Sequence, residues 1–185
     1  MMPLSARRER IYLTGFMGSG KTTIGPILAN SIAYDFVDLD HTIEAAVGKT
    51  VREIFREQGE AYFRGLERDL IAGLAVRPRM VVSLGGGSLV DPACLQTVLT
   101  SGILVYLRLT PDQLFQRLHR RSDRPLLADA EGNRLTEDEL RRRIHELFVA
   151  REPVYSRADI IIETDERRVG KTVDQIVRAL SPYLE

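Results

Sequence analysis

The chain has 185 residues, 44% of them hydrophobic, with 26 basic and 26 acidic side chains. That is one domain's length with enough apolar material for a core, which excludes a disordered tail. A formal charge of zero argues against a general binder of nucleic acid or membrane surfaces, since such proteins carry a one-signed excess.

Short apolar runs rich in β-branched residues alternate with helical patterns. Residues 11–14, 36–39, 80–84, 103–107 and 160–162 read as strands. Each is continuous rather than alternating, the pattern of strands buried on both faces. Helix starts lie between them. Asp91-Pro92 places a capping side chain before a first-turn proline, and Gly102 follows the expected end. Thr50 with Glu53, Thr110 with Gln113 and Thr136 with Glu139 match capping boxes. This alternation predicts a parallel sheet with helices on both faces. Two stretches depart from it. Residues 42–75 are long and helical with breaks at Gly48 and Gly59, and residues 117–134 are dense in arginine with little periodicity. Long insertions on a compact α/β core commonly close over a ligand.

After the first strand comes Gly15-Phe16-Met17-Gly18-Ser19-Gly20-Lys21-Thr22, which matches G-x-x-x-x-G-K-[ST]. Chance placement of this composition yields on the order of 0.002 such matches, and the strand-before, helix-after context that the motif requires is present. Glycines let the backbone coil so that N–H groups of Gly18, Ser19, Gly20, Lys21, Thr22 and Thr23 can face phosphate oxygens. Lys21 would reach the terminal phosphates and Thr22 would ligate Mg²⁺. Pro26, past the first turn of the following helix, predicts a kink absorbed by packing.

A phosphate loop alone does not name a reaction. The guanine-reading N-K-x-D of regulatory GTPases is absent, and Asp129 to Gly132 spells D-x-x-G without a preceding strand. The third strand ends in Gly85-Gly86-Gly87, where a ligand could approach the backbone; a structural bulge is the alternative. Asp38 and Asp40 end the second strand, where a period of two puts both carboxylates on one side. One would support Mg²⁺ through water and the other bind a hydroxyl nucleophile; Asp40 could instead cap the next helix. Taken singly, Arg64 reads as a surface pair with Glu67, Arg151 before Glu152-Pro153 as a solvated cation where a helix stops, and Arg141 to Arg143 as a charged face. Arg120, Arg121 and Arg124 fall in the irregular insertion, where phosphoryl transfer often draws cations from a mobile segment.

In order, the loop, Asp38-x-Asp40, Phe63-Arg64 with Glu67, Gly85-Gly86-Gly87, Arg124-Pro125-Leu126-Leu127 and Arg151-x-Pro153-x-Tyr155 resemble the shikimate kinase family, from about Arg10 to the C-terminus. The resemblance implies a P-loop three-layer α/β/α sandwich with a five-stranded parallel sheet, similar to nucleoside monophosphate kinases. It implies one domain over residues 1–185, a substrate-binding insertion at about 40–75 and a lid at about 117–134. The implied reaction moves the ATP γ-phosphate to the 3-hydroxyl of shikimate with Mg²⁺, toward chorismate and the aromatic amino acids. On that reading Asp40 acts on the acceptor hydroxyl, and Arg64 and Arg151 grip the acceptor carboxylate. Gly86 offers backbone contact, Thr22 and Asp38 serve the metal, Arg124 closes on the phosphates, and Arg120 or Arg167 lies near adenine. Thr22 stands where the family often has serine and Pro26 where it often has arginine. A gluconate-type kinase and a non-catalytic nucleotide-binding module are the rivals; a mere binder has no use for Asp40 with Arg64 and Arg151.

The chain is expected to be a soluble cytoplasmic monomer that binds neither nucleic acid nor membrane. Cys94 is alone and cannot form an internal disulfide, and residues 1–10 lack a signal peptide's apolar segment. All basic residues except Lys21, Lys49 and Lys171 are arginine.

Overall fold

The computed structural model describes residues 9–119, 135–164 and 169–184. Five parallel strands, β1 (Arg10–Thr14), β2 (Asp35–Asp38), β3 (Met80–Ser83), β4 (Ile103–Arg108) and β5 (Ile160–Glu163), form one sheet in the order β2-β3-β1-β4-β5. The register runs Tyr12 beside Val82 and Leu104 at the sheet centre, with Asp38 beside Ser83 at one edge. Helices α1 (Lys21–Ser31), α2 (Leu39–Val47), α3 (Val51–Leu74), α4 (Pro92–Ser101), α5 (Pro111–Leu118), α6 (Glu137–Tyr155) and α7 (Val169–Leu184) complete the described elements, with a short 3₁₀ turn at Ser88–Val90.

Successive side chains of the central strands go to opposite faces, as the strand period requires. Ile11, Leu13, Val81 and Val105 pack with Ile24 and Leu28 of α1 and with Val173, Ile176 and Leu180 of α7. Tyr12, Val82, Leu104 and Tyr106 pack on the other face with Ile43, Ile54, Phe63, Ile71 and Val98. Strand burial differs at the edges. β1 and β3 are buried throughout, while β2 is only partly covered and β5 alternates buried and exposed residues. Edge strands have a neighbour on one side only, so the expectation of full burial holds for the interior strands alone.

All three threonine capping boxes form, and Asp91 caps α4 by accepting from the N–H of Ala93 and Cys94. Gly48 ends α2 in the left-handed region at φ 71°, and Gly59 breaks α3 at φ 82°. Glu44 of α2 accepts from the N–H of Val51 at 2.8 Å, tying the two helices of the insertion together. α1 continues through Pro26 to Ser31 as one helix, so the expected kink does not interrupt it.

The helices leaving β1 and β3 cover opposite faces, since α1 belongs to one apolar cluster and α4 to the other. Adjacent parallel strands whose connections diverge in this way open a crevice at their carboxyl ends. The glycine-rich segments 15–20 and 85–87 both lie there.

α1 is pressed against β2 at Gly25, where a Cβ would come within 2.2 Å of Cε2 of Phe36. Gly25→Ala must therefore displace the Phe36 ring or α1 itself, and overpacking of this kind costs about 1–3 kcal/mol. Thermal unfolding of the variant should show a correspondingly lower midpoint; an unchanged midpoint would contradict the close packing.

Candidate active site

The loop after β1 places Gly15, Gly18 and Gly20 at φ 141°, 81° and 98°, values open to glycine but strained for other residues. Ser19 N–H donates to the Phe16 carbonyl at 3.1 Å, closing the turn. α2 to α6 each receive a side-chain cap at the N-terminus, whereas α1 starts at Gly20 with none. No side-chain oxygen caps the start of α1, and the helix dipole favours an anion there. Lys21 is buried, and its ammonium donates to the carbonyls of Gly15 and Phe16 at 2.8 and 3.1 Å. Its positive charge thus sits inside the loop's rim.

Thr22 is exposed beside the loop and donates its hydroxyl to Asp38 Oδ2 at 3.1 Å. A hydroxyl and a carboxylate side by side are hard oxygen donors. Mg²⁺ characteristically takes one or two such groups and completes its shell with water and phosphate oxygens, so this pair fits the ion. The second strand ends earlier than its sequence suggests. Asp38 closes β2 and caps α2 by accepting from the His41 N–H at 3.2 Å. Asp40 therefore lies in the first turn of α2, not on the strand, and the cap is Asp38 rather than Asp40. Asp38 has a helix-capping oxygen favourable enough to end the strand before its period-two pattern is complete.

Gly85, Gly86 and Gly87 explain how the remaining groups converge. A Cβ on Gly85 would lie 2.8 Å from Asp40 Oδ1, 2.9 Å from Glu67 Oε1 and 2.9 Å from Ser88 Oγ. On Gly86 it would be 3.4 Å from Arg151 Nη1 and 3.8 Å from the Met17 amide nitrogen. On Gly87 it would be 2.6 Å from Arg64 Nη2. The triglycine is thus a floor of bare backbone on which two acids, two guanidiniums and the phosphate loop meet.

Arg64 is held from one side by Glu60, which accepts at 2.9 and 3.2 Å, and from the other by Glu67. Glu67 is 1% exposed and also accepts from the Ser88 hydroxyl. Burial works against the charge on Arg64, but Glu67 and Glu60 outweigh it and hold the guanidinium firmly protonated. The Arg64–Glu67 contact expected of a surface pair is in fact mostly buried.

Arg151 departs further from its sequence pattern. α6 does not stop at Glu152-Pro153 but runs to Tyr155, four residues past Arg151, so Arg151 is not a solvated terminal cation. The extension is anchored by Tyr106, whose hydroxyl donates to Glu152, and by the Glu152–Arg108 ion pair at 3.1 Å. Arg151 is 8% exposed, and its Nη1, fully buried beside Gly86, has no hydrogen-bond partner among the described residues. Burying an unsatisfied cationic donor is costly, so the position is built for an anionic acceptor.

Arg120, Arg124 and Arg167 lie outside the described residues. Sequence reasoning missed Arg117, which lies in the last turn of α5 and donates through Nη1 to the Gly18 carbonyl at 3.1 Å. Its position at the join between helix and arginine-rich stretch was the available signal, masked by several arginines nearby. Among the described residues no group of three or more His, Cys, Asp or Glu side chains forms a metal cluster, and no helix is long and apolar enough to cross a membrane.

A family model for shikimate kinase matches residues 17–181. The chain belongs to the shikimate kinase family. It is 48% identical over 174 residues to shikimate kinase of Prosthecochloris aestuarii, covering 94% of this chain and 88% of that protein. The crystal structure of shikimate kinase from Bacteroides thetaiotaomicron superposes with a TM-score of 0.84 at 36% identity, covering 93% and 98% of the two chains. That of Acinetobacter baumannii shikimate kinase in complex with shikimate gives 0.84 at 32% identity, with 99% and 100% covered. A gluconokinase from Sinorhizobium meliloti reaches only 0.55 at 18% identity, a likeness of fold alone. The predicted P-loop α/β architecture with five parallel strands is borne out, and membership of the shikimate kinase family makes the chain a phosphotransferase that uses ATP with Mg²⁺.

The buried end of the Arg64–Glu67 pair generates a test. Removing Glu67 strands Arg64 and Ser88 beside the bare glycine floor. Because Arg64 keeps some solvent contact, the loss for Glu67→Ala falls below that of a fully buried pair, at about 2 kcal/mol. This should lower the thermal midpoint by roughly 4–8 °C for a chain of this size; a shift below a degree would show the pair to be inconsequential.

Proposed function

We propose that this chain transfers the γ-phosphate of ATP to the 3-hydroxyl of shikimate, with residues of the crevice between β1 and β3 in specific roles. The observation that carries the assignment is the buried, unpartnered Nη1 of Arg151 beside Gly86, facing the same floor as Arg64. Two planar guanidiniums on one bare turn suit a small carboxylate, which accepts paired N–H donors. A nucleotide-binding module without an acceptor would leave the buried Arg151 Nη1 unsatisfied.

On this reading the N–H groups of the loop from Gly18 to Thr23 and the ammonium of Lys21 hold the phosphate tail. For this, Lys21 gives up its bonds to the Gly15 and Phe16 carbonyls, a short swing of a flexible side chain. Thr22 and Asp38 hold Mg²⁺, which when bound offsets charge on the transferring phosphoryl group. Asp40, within reach of Gly85 and on the first turn of α2, accepts the proton of the acceptor hydroxyl or orients it. Arg64 and Arg151 grip the carboxylate, and Gly86 lets the acceptor approach the backbone. Residues of about 40–75 form the acceptor side of the site and those of about 117–134 a lid carrying Arg124. Arg117, already against the loop at Gly18, joins Arg120 and Arg167 as a cation to lie along the nucleotide. The whole chain would serve as one catalytic domain, acting as a soluble cytoplasmic monomer.

Asp40→Asn keeps the shape but removes the proton acceptor, so kcat should fall about 100-fold or more while ATP affinity measured by calorimetry stays near wild type. Wild-type turnover in this variant would remove Asp40 from the chemistry.

Arg64→Ala should raise the shikimate KM about 10- to 100-fold with a smaller change in kcat, because it removes binding common to ground and transition states. A coupled ADP-release assay with shikimate, gluconate and nucleoside monophosphates supplies the test; weakened ATP binding alone would misplace the acceptor pocket.

A further inference from the structure

Tyr155 takes part in none of the steps above, yet it is buried to 2% exposure at the centre of the site's supporting layer. It lies four residues after Arg151 on α6, so the two side chains share one face of the helix. Its hydroxyl donates to the carbonyl of Gly86. Arg151 stands against the same glycine, its Nη1 3.4 Å from where a Cβ on Gly86 would lie, and its charge acts on the same hydroxyl. Its ring stacks at a tilt on Tyr106, centroids 5.2 Å apart, and Tyr106 is tied in turn to Glu152.

A neutral phenol has a single proton to donate and two lone pairs to accept with. Burial pushes the Tyr155 hydroxyl up to about 12, so it remains a donor at neutral pH. With its proton spent on Gly86, only a lone pair faces Arg151. One oxygen thus couples the turn to the guanidinium. The consequence for the turn follows from peptide planarity: the C=O of Gly86 and the N–H of Gly87 point in opposite directions. Holding the carbonyl toward Tyr155 aims the Gly87 N–H the other way. The turn's own hydrogen bonds run from Ser88 N–H to Gly85 and from Val90 N–H to Gly87, and so do not use that amide.

We infer that Tyr155 is a positioning residue for acceptor binding: its hydroxyl fixes the orientation of the Gly86–Gly87 peptide and the aim of Arg151 together. A glycine-rich turn without side chains has few other means of resisting a peptide flip. The inference rests on the proposed acceptor site, and it assigns to the tyrosine an effect on the acceptor but not on the nucleotide.

The test is full-length Tyr155→Phe, which keeps the ring and its packing on Tyr106 while deleting the oxygen. The shikimate KM should rise about tenfold, the scale of one lost buried hydrogen bond, with the ATP KM within about twofold of wild type. Tyr12→Phe, which likewise loses a buried hydroxyl but one bonded to Ser101, should leave the shikimate KM within about twofold. An unchanged shikimate KM in Tyr155→Phe, or a kcat that falls with the folded fraction while both KM values hold, overturns the inference. Wild-type enzyme inert toward shikimate would overturn the proposed function itself, and this role with it. Should Tyr155→Phe not fold, the wild-type amide NMR spectrum decides: added shikimate should shift the Gly87 resonance, and an unmoved Gly87 would refute the assignment.

Discussion

The close approach of charged side chains to the bare backbone of Gly85–Gly87 is the constraint on which the site depends. Each glycine admits a different neighbour: the Asp40 and Glu67 carboxylates at the first, Arg151 and the phosphate loop at the second, Arg64 at the third. A Cβ at Gly85 or Gly87 would collide with a functional group or its support, while one at Gly86 would sit in contact with Arg151 Nη1 at 3.4 Å. The glycines matter for space more than for conformation, since none of them occupies the left-handed region. This differs from Gly15, Gly18 and Gly20, where positive φ values let the phosphate loop coil.

Around that floor the charges are arranged in order of solvent access. Glu67 and Ser88 form a dry layer that fixes Arg64, and Tyr155 with Tyr106 and Glu152 forms another beneath Arg151. The guanidinium of Arg64 keeps partial access to water while Arg151 Nη1 is buried without an acceptor. Leaving that donor without an acceptor costs stability, which on the proposed reading is recovered when an anion binds. Such a local violation of hydrogen-bond satisfaction is expected at a functional site.

Much of this was legible in the chain itself, and the reasons differ by element. The phosphate loop could be read because its chemistry is local, a glycine pattern between one strand and one helix. Capping residues at Thr50, Thr110 and Thr136 were legible for the same reason. The fate of Asp40 was not, because residues 38–40 satisfy a strand period and a helix start equally well, and only the hydrogen bond from His41 N–H to Asp38 decides. Read alone, Arg151 is a terminal cation because Pro153 signals a helix stop, and that signal is overridden by tertiary anchoring of Glu152 to Tyr106 and Arg108; only the family resemblance points to its role. Tyr155 is visible only as the end of the Arg151-x-Pro153-x-Tyr155 pattern, with no role attached; its partner is 69 residues away, a distance that no local pattern encodes.

The choice of cations follows the same physics. Lysine, rare in this chain, stands in the loop, where a compact ammonium on a flexible stem can exchange backbone carbonyls for phosphate oxygens. Arginine stands where a flat group must lie along bare peptide and between aromatic rings: Arg64 lies 5.9 Å from the Phe55 centroid and 5.6 Å from that of Phe63, and Arg151 lies 5.7 Å from that of Phe16. A guanidinium tolerates such apolar neighbours because it is weakly hydrated, and its fork still presents two parallel donors at the edge. Exchanging Arg64 or Arg151 for lysine would keep the charge but lose both the flat packing and the paired donors. On the proposed reading the shape of each cation matters as much as its sign, the point charge serving phosphate and the planar charges the carboxylate.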